Sequence, residues 1–370
     1  MEKYNFIHIF LNSSKIFNSA TQALVNGLNL SYKHLFIYAY KQDINDINGN
    51  NIKFDDSVRS VEGLKKYFEI ADYLIIHALN YSDKEIIKLT DSECNKIIWC
   101  VWGHDLYSIK TKHSLVYLIT QKIYRLLRRR VYYNKLASGK ISKFKGITVG
   151  FPGDMFTVRE KYGNTINIYN ALYPMGYNAN DLEKWKEKVS VDTKYTKLRI
   201  LLGHSAYEFL NHEIWLEKLK PYKNKIEIII PLSYGNNKYA LKVKEKAVSS
   251  IGGDKVYFLE KFMPAEEYFK FLCNIDIAIF DYEHQSAFGN ILLLLYLQKR
   301  LYLSPNGIMY KGLKNIGATV YRTDELIEAE FKNLSHEELL KNRELAKNIL
   351  DEETIKKQWT DMFKSCYGDI

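Results

Sequence analysis

Two polar stretches in the first third of the chain follow hydrophobic segments and carry groups that can move protons. Gly103, His104 and Asp105 come directly after the apolar segment 97–102, and His77 ends the apolar segment before it. A carboxylate or an imidazole at the end of a buried strand can act as a general base or orient a substrate hydroxyl. We therefore take Asp105, His77 and His104 as candidate catalytic residues. A structural interpretation stays open, in which Asp105 caps a turn and His77 is a core histidine with satisfied hydrogen bonds.

Three loops in the second half of the chain follow predicted strands and have the composition of anion-binding turns. The first begins at Gly203, the second contains Tyr234, which could stack on a base or a sugar, and the third precedes the hydrophobic segment 291–297. Free backbone N–H groups at the start of the helix predicted after the third loop would face a diphosphate. The candidate residues in and around these loops are Gly203, His204, Ser205, Asn211, Pro231, Tyr234, Gln285, Ser286, Gly289 and Asn290. Ordinary tight turns, or a polar helix cap at Ser286 or Asn290, would produce the same pattern.

A basic segment lies between these two groups of residues. Its five cations fall close together, and they are Lys122, Arg125, Arg128, Arg129 and Arg130. Leucine and isoleucine recur at helical spacing along the same segment, which predicts an amphipathic helix. Such a helix, interleaved with tyrosines, suits an anionic membrane surface or phosphate groups, and an ordinary solvated helix face is the alternative. Nucleic acid would use the same charges, but the chain contains no recognised nucleic-acid module, so we expect no such partner.

The bulk properties restrict the class of protein. The chain has 370 residues, 46% of them hydrophobic, and a formal net charge of +10, which favours an anionic partner. The four cysteines form no C-x-x-C pair, and no Asp-x-Asp tripeptide or histidine cluster indicates a metal, so we expect neither metal nor cofactor. The N-terminus lacks the form of a signal peptide, and the longest apolar run, ILLLLYL, is too short to span a bilayer. We therefore expect a cytoplasmic protein.

Short apolar runs alternate with amphipathic helical patterns along the chain, and this alternation occurs twice. Continuous apolar runs are typical of buried parallel strands, and their alternation with helices indicates βαβ units. A polar stretch at 177–197 separates the two series. The sequence therefore predicts two Rossmann-like, doubly wound α/β domains facing a central cleft, at 1–180 and 181–350, with ligands outside the carboxyl ends of the strands. The final segment, 351–370, is predicted to be a helix that could pack back on either domain.

Five segments, taken in order, carry a resemblance to a known family. They are WCVWGHDLY, the basic YRLLRRRV, ILLGHSAYEFLNHE, IIIPLSYGNNKYALKVKEKA and the stretch from EKFMPAEEYF to LYLSPN. Over roughly residues 70–330 the chain resembles the TDP-N-acetylfucosamine:lipid II N-acetylfucosaminyltransferases, the 4-alpha-L-fucosyltransferase family. The Trp-Gly-x-Asp-Leu-Tyr and Pro-x-x-Tyr elements are the most specific parts of the likeness. The chain departs from the family pattern at His204, where that pattern has asparagine, and in the loop from Gln285 to Gly289, which is less rich in glycine.

The resemblance implies a GT-B glycosyltransferase that works without a metal ion. It would transfer a sugar such as 4-acetamido-4,6-dideoxygalactose from a dTDP- or UDP-linked donor to a lipid-diphosphate-linked glycan, in bacterial cell-surface polysaccharide biosynthesis. It would act at the inner face of the cytoplasmic membrane, where the basic segment would hold it on anionic lipid. The loop residues of the C-terminal domain would bind the donor, and His77, Gly103, Asp105 and Tyr107 would line the acceptor side. If the transfer inverts the anomeric centre, Asp105 is the first candidate base and His77 the second.

Two other functions stay open on the sequence. A sugar-nucleotide epimerase with the same two-domain architecture would use the same donor loops and would need no attachment to a membrane. A non-enzymatic polyanion-binding protein would depend on the net charge of +10. The second alternative predicts steep salt dependence and no preference for a nucleotide base.

Overall fold

The computed structural model describes residues 2–44, 49, 51–107, 132–189, 196–326 and 335–368. The chain divides into two compact units, and each is described by itself. Unit 1 comprises Met1–Gly176 and Ile355–Ile370, and unit 2 comprises Tyr177–Thr354. The predicted basic segment lies outside the described residues, so the structure places none of Lys122, Arg125, Arg128, Arg129 and Arg130.

Unit 1 is built on a seven-stranded sheet in which all neighbouring strands are parallel. Its strands are β1 (Tyr4–Phe10), β2 (His34–Tyr38), β3 (Ile52–Phe54), β4 (Ala71–His77), β5 (Ile97–Cys100), β6 (Gly146–Val149) and β7 (Ile168–Asn170). They lie in the order β3-β2-β1-β4-β5-β6-β7, so the direction of winding reverses between β1 and β4. Phe10 of β1 pairs with His77 of β4, which brings the carboxyl ends of these two strands together.

Helices connect the strands of unit 1, as parallel pairing requires. They are α1 (Lys15–Asn26), α2 (Val61–Phe68), α3 (Asp83–Ile86), α4 (Asp91–Cys94), α5 (His104–Tyr107), α6 (132–141) and α7 (Asp154–Tyr162). Two starts are fixed by hydroxyl caps: Ser60 accepts from the Gly63 N–H before α2, and Thr90 accepts from the Glu93 N–H before α4. Such caps satisfy N–H groups that have no partner within the helix.

Unit 2 repeats this architecture on a six-stranded parallel sheet. Its strands are β8 (Leu198–Leu202), β9 (Ile226–Pro231), β10 (Val256–Leu259), β11 (Ile277–Phe280), β12 (Arg300–Leu303) and β13 (Tyr321–Arg322). The order β10-β9-β8-β11-β12-β13 is the Rossmann order, in which winding reverses between the first and fourth strands of the unit. The helices of unit 2 are α8 (Ala179–Glu187), α9 (His212–Leu219), α10 (Asn237–Ser250), α11 (Ala265–Leu272), α12 (Phe288–Tyr296), α13 (Ile308–Asn315) and α14 (His336–Leu350). The helix α15 (Glu352–Tyr367) follows, and most of it belongs to unit 1.

The central strands of both sheets are buried along their length. Every residue of β5, β6 and β11 is buried, and isoleucine and other branched residues supply most of the core. Branched side chains fit the pleated surface of a sheet that helices cover on both faces. The prediction of two doubly wound parallel α/β domains is confirmed.

The last helix, α15, packs into unit 1. Trp359 and Phe363 are fully buried, and the Phe363 ring lies 4.6 Å from the ring of Phe6 in β1. The indole N–H of Trp359 donates to the carbonyl of Leu172 at 2.9 Å, just after β7. A segment remote in sequence thus completes the core of the N-terminal sheet. None of the described helices has the length and apolar character needed to cross a membrane.

Candidate active site

The carboxyl ends of β8 and β11 lie side by side in unit 2. Leu202, the last residue of β8, pairs with Ile279 of β11. Ligands of doubly wound sheets bind where the strand order reverses, and it reverses between these two strands. The loops after β8, β9 and β11, with the first turn of α12, carry nearly all the residues that the sequence predicted to bind an anion.

Backbone hydrogen bonds join the loops after β8 and β9. The N–H of Ala206 donates to the carbonyl of Tyr234, and the N–H of Asn236 donates to the carbonyl of Ala206, both at 2.8 Å. Gly235 permits this close approach because its φ is +116° and a Cβ there would lie 2.6 Å from the Ala206 carbonyl oxygen. The two loops therefore form one continuous backbone surface.

His204 connects all three loops through its side chain. Its Nδ1 lies 2.9 Å from the hydroxyl oxygen of Tyr234, and its Nε2 lies 3.1 Å from Oγ of Ser286. Only 4% of His204 is exposed, and this burial lowers its pKa to about 3. The imidazole is therefore neutral near pH 7, so that one ring nitrogen donates and the other accepts. The structure thus brings together three residues that the sequence predicted in separate loops.

Gly203 and Asn211 both adopt left-handed backbone conformations in the loop after β8. Gly203 has φ +69°, and a Cβ there would lie 2.6 Å from Nε2 of the buried His212, so a larger residue does not fit. Asn211 has φ +56°, and its Nδ2 donates at 2.9 Å to the first carbonyl after β11. Ser205 is fully buried beside Tyr234, and its hydroxyl makes no hydrogen bond of normal geometry within the described residues.

The turn before α12 leaves the start of that helix open. Ala287 adopts a left-handed conformation with φ +54°, and no side chain caps the helix. The preceding turn is fixed because the hydroxyl of Tyr282 donates to the carbonyl of Ser286 at 2.8 Å. Gly289 lies in the first helical turn without a side chain to cover the backbone. This arrangement presents N–H groups and the positive end of the helix dipole to a ligand.

Three further predicted residues differ in their placement. Gln285 and Asn290 flank the open turn and are partly buried. Pro231 is buried as the last residue of β9 and pairs with Leu259 of β10. Pro231 therefore belongs to the sheet, where it shapes the exit of the strand, rather than to the loop surface expected from the sequence.

A cavity of about 470 Å³ lies between the loop after β8 and the start of α10. Its polar lining residues are Glu208, Asn211, Glu213, Asn236, Lys238, Tyr239 and Lys242. Lys242 and Glu213 form an ion pair at 2.8 Å. The mixture of amide and charged groups suits a polar ligand of modest size.

Asp105 in unit 1 is held by four hydrogen bonds. Its Oδ2 accepts from the Leu79 N–H at 2.9 Å and from the Trp99 indole N–H at 2.7 Å. Its Oδ1 accepts from the backbone N–H groups of Trp102 and Leu106 at 2.9 and 3.1 Å. Since these bonds occupy the acceptor positions of the carboxylate, the geometry favours a structural role for Asp105 over the proton-acceptor role expected from the sequence.

His77 belongs to a chain of three histidines inside unit 1. Its Nε2 lies 3.1 Å from Nδ1 of His8, and Nε2 of His8 lies 3.2 Å from Nδ1 of His34. His77 is fully buried, and burial lowers its pKa to about 3. A fully buried imidazole with so low a pKa is a weak base, so burial favours the core interpretation of His77, although its Nδ1 has no hydrogen-bond partner among the described residues.

His104 lies at the surface, at the start of α5. Its Nε2 is 3.1 Å from the side-chain oxygen of Asn80, and the residue is exposed. Gly103 before it has φ +90°, a left-handed conformation that permits the tight turn after β5. His104 is therefore the most exposed of the three catalytic candidates.

Tyr107 contacts a buried carboxyl that the sequence analysis missed. Its hydroxyl donates to Oδ1 of Asp154 at 2.7 Å. Asp154 is 3% exposed, and burial raises its pKa to about 7, against the opposing effect of the Tyr107 hydrogen bond. The signal was present, because Asp154 follows β6 in the sequence FPGD just as Asp105 follows β5. A carboxyl group whose pKa is strongly shifted by burial is a candidate functional residue.

The remaining metal-binding residue types are dispersed. Within the described ranges, no three or more histidine, cysteine, aspartate or glutamate side chains are grouped so as to hold a metal ion. Cys94, Cys100, Cys273 and Cys366 are all free thiols and all buried.

Solved structures with a similar architecture include a glycosyltransferase and a protein described as a nucleotide-sugar epimerase. A glycosyltransferase from Rickettsia africae is 14% identical, with a TM-score of 0.62 over 100% of both chains. Anabaena HepE in complex with UDP is 10% identical, with a TM-score of 0.62 over 98% of this chain and 100% of that one. A Listeria monocytogenes protein described as a UDP-N-acetylglucosamine 2-epimerase has a TM-score of 0.51 at 12% identity, over 100% and 98%. The chain therefore has the GT-B fold.

The family is shown by the sequence itself. The sequence model of the 4-alpha-L-fucosyltransferase family, glycosyl transferase group 56, matches residues 86–365. This match covers well over half of the chain, including all of unit 2 and strands β5–β7 of unit 1, and the chain belongs to that family. The protein is therefore a glycosyltransferase. Family membership distinguishes sugar transfer from epimerisation, whereas the fold alone does not.

Proposed function

We propose that this protein transfers a sugar from a dTDP- or UDP-linked donor to a lipid-diphosphate-linked glycan, without a metal ion. Unit 2 binds the donor, and unit 1 binds the acceptor. The observation that carries the proposal is the position of His204, whose ring joins Tyr234 and Ser286 beside the uncapped start of α12. Family membership and the UDP bound to the similarly folded HepE support a nucleotide-linked donor.

The donor's diphosphate is proposed to lie on the first turn of α12. Transfer leaves negative charge on the departing diphosphate, and helix N–H groups with the helix dipole stabilise that charge. The buried Ser205 hydroxyl lacks a partner of normal geometry and can donate to a phosphate oxygen. His204 is neutral, so it orients Tyr234 and Ser286 through hydrogen bonds and adds no charge of its own. The site can thus neutralise a diphosphate with N–H and O–H donors.

The acceptor and the location of the enzyme rest on the family and on the basic segment. A lipid-linked acceptor lies at a membrane surface, and a polybasic amphipathic segment binds anionic lipid there. Lys122, Arg125, Arg128, Arg129 and Arg130 would supply this contact. The proposed location is the cytoplasmic face of the membrane, where nucleotide sugars are available.

Thermal stabilisation by nucleotides tests the donor proposal. Purified protein is heated with about 1 mM dTDP, UDP, GDP, ADP or CMP, at low and high salt. A ligand at about 100 times its Kd adds about 2.7 kcal/mol to the free energy of unfolding. We expect a salt-resistant rise in Tm from dTDP or UDP. Equal and salt-sensitive shifts from all nucleotides would instead support a polyanion-binding protein.

A matched pair of histidine variants locates the site. His204→Ala should remove most of the nucleotide-dependent rise in Tm, because it removes the imidazole that hydrogen-bonds both Tyr234 and Ser286. His336→Ala changes an exposed histidine at the start of α14 in the same unit and should leave that rise intact. An undiminished nucleotide shift in folded His204→Ala protein would move the donor site away from these loops.

A further inference from the structure

A buried tyrosine–carboxyl pair lies at the carboxyl edge of the sheet in unit 1. Tyr107 ends α5, after β5, and Asp154 begins α7, after β6. The Tyr107 hydroxyl donates to Asp154 Oδ1 at 2.7 Å, and Oγ1 of Thr157 lies 3.4 Å from the same hydroxyl oxygen. The Tyr107 side chain is partly exposed, whereas Asp154 is 3% exposed. Tyr107 is therefore the more exposed member of the pair.

We propose that Asp154 is the final proton acceptor of the transfer reaction and that it acts through the hydroxyl of Tyr107. This inference rests on the proposed transferase function and names a residue of the acceptor side. It differs from the expectation for Asp105, whose four hydrogen bonds fill its acceptor positions, and for His77, which is fully buried in the core.

The step balances without any further reagent. The acceptor hydroxyl oxygen bonds to the anomeric carbon of the donor sugar, and the bond from that carbon to the diphosphate oxygen breaks, with its electron pair leaving on the diphosphate. The acceptor proton passes to the Tyr107 oxygen while the phenolic proton of Tyr107 passes to Asp154 Oδ1. Tyr107 stays neutral throughout, consistent with the raised pKa that burial and the nearby Asp154 give its hydroxyl.

The charged groups around the pair set its titration. Burial raises the pKa of Asp154 to about 7, the negative charge of Asp105 on α5 acts in the same direction, and the Tyr107 hydrogen bond acts against both. Lys161, further along α7, donates to the carbonyl of Leu106. A base works best when its pKa lies near the working pH, and this arrangement meets that condition.

The test is the pH dependence of transfer in Asp154→Asn and Tyr107→Phe. Transfer is followed as release of nucleoside diphosphate from UDP- and dTDP-linked sugars, with a short-chain polyprenyl-diphosphate-linked sugar as acceptor, from pH 5 to 9. In the wild type, log kcat/KM should rise by about one per pH unit below pH 7 and then level off. Both variants should lose this rising limb of the pH profile below pH 7. Their kcat should be lower by about 10²–10⁴-fold, and their KM for the donor should change by less than about threefold.

Controls separate proton transfer from folding and from the donor proposal. Asparagine has the shape of the protonated carboxyl, so Asp154→Asn should keep its fold and its nucleotide-dependent rise in Tm. Asp56→Asn, at an exposed aspartate of the same unit, should keep the wild-type profile. If folded Asp154→Asn retains the limb, or the wild type transfers sugar without one near pH 7, the inference fails. A wild type that neither binds nucleotide nor transfers sugar would instead overturn the proposed function.

Discussion

Single aspartates fix loops at the carboxyl edges of both sheets. In unit 1 the Trp99 indole N–H donates to Asp105, and in unit 2 the Trp215 indole N–H donates to Asp281 at 3.0 Å. Each carboxylate accepts hydrogen bonds from more than one chain segment, so it ties its loop to neighbouring strands or helices. At Asp281 the additional donor is the hydroxyl of Thr323. Loss of either carboxylate should therefore affect folding before it affects chemistry.

Asp105→Asn tests this structural role. The amide nitrogen of asparagine cannot accept, so two of the four N–H groups would lose their partner. We expect a loss of about 2–4 kcal/mol in the free energy of unfolding, measured by denaturant titration. Transfer activity should fall only in proportion to the folded fraction.

His104→Ala is the control for Asp105→Asn. It removes an exposed neighbouring side chain with one hydrogen bond and should cost less than about 1 kcal/mol. An Asp105→Asn protein of full stability with abolished transfer would restore Asp105 as a catalytic candidate.

At the scale of elements, the chain of three histidines crosses the strands β2, β1 and β4 in order. His34, His8 and His77 share the face of the sheet that α15 covers, where the ring of Phe363 lies 4.9 Å from that of His34. Burial lowers the pKa of His34 to about 4 and of His77 to about 3, and it lowers that of His8 well below the ordinary value. These three neutral rings make the stability of unit 1 dependent on pH.

The sign of that dependence follows from the lowered pKa values. A histidine whose folded-state pKa is depressed stabilises the fold above its unfolded pKa of about 6.5, and this contribution is lost as the pH falls from 6.5 towards the folded pKa. At pH 5, the contributions of His34 and His77 to the free energy of unfolding should each have fallen by about 2 kcal/mol. Asp154, whose pKa is raised, acts in the opposite direction over the same range.

The contribution of Asp154 to the pH dependence is the same in the wild type and in His77→Phe, so it cancels when the two proteins are compared. Between pH 7.5 and pH 5 the wild type should lose about 2 kcal/mol more unfolding free energy than the variant, measured by denaturant titration at both pH values. Equal losses in the two proteins would show that folding does not lower the pKa of His77.

At the scale of the whole molecule, the net charge of +10 is the main property that no single site accounts for. Its densest part is the segment from Lys122 to Arg130. Each arginine near an anionic surface contributes about 1 kcal/mol of binding free energy. The charge is therefore expected to act through this segment, in attachment to lipid rather than in catalysis.

Replacement of Arg128, Arg129 and Arg130 by glutamine tests the attachment. The triple variant should bind vesicles containing phosphatidylglycerol about 100-fold more weakly, measured by co-sedimentation at physiological salt. Neutral phosphatidylcholine vesicles serve as the control and should bind both proteins equally weakly. Unchanged binding to the anionic vesicles would exclude this segment as the membrane contact, while the nucleotide-dependent rise in Tm should be the same in both proteins.

Local patterns in the sequence determined the class of fold. Continuous apolar runs such as those of β5 and β11 can be satisfied only inside a sheet covered on both faces, and the glycines at Gly103 and Gly203 mark turns at strand ends. The proximity of the loops predicted to bind an anion could also be predicted from the sequence, because the carboxyl ends of parallel strands lie at one edge of the sheet. The family resemblance rested on the same segments and is confirmed.

Only the tertiary structure decided what each polar side chain does. Asp105 and Asp154 both follow a strand, yet one is surrounded by four donors and the other is bonded to Tyr107 in a buried site. His77 is the last residue of a strand and His204 follows one, yet His77 joins a chain of core histidines and His204 joins three loops. The reason is physical: residue type and spacing fix the secondary structure and the edge of the sheet, whereas a proton acceptor is defined by burial and by hydrogen-bond partners that come from distant parts of the chain.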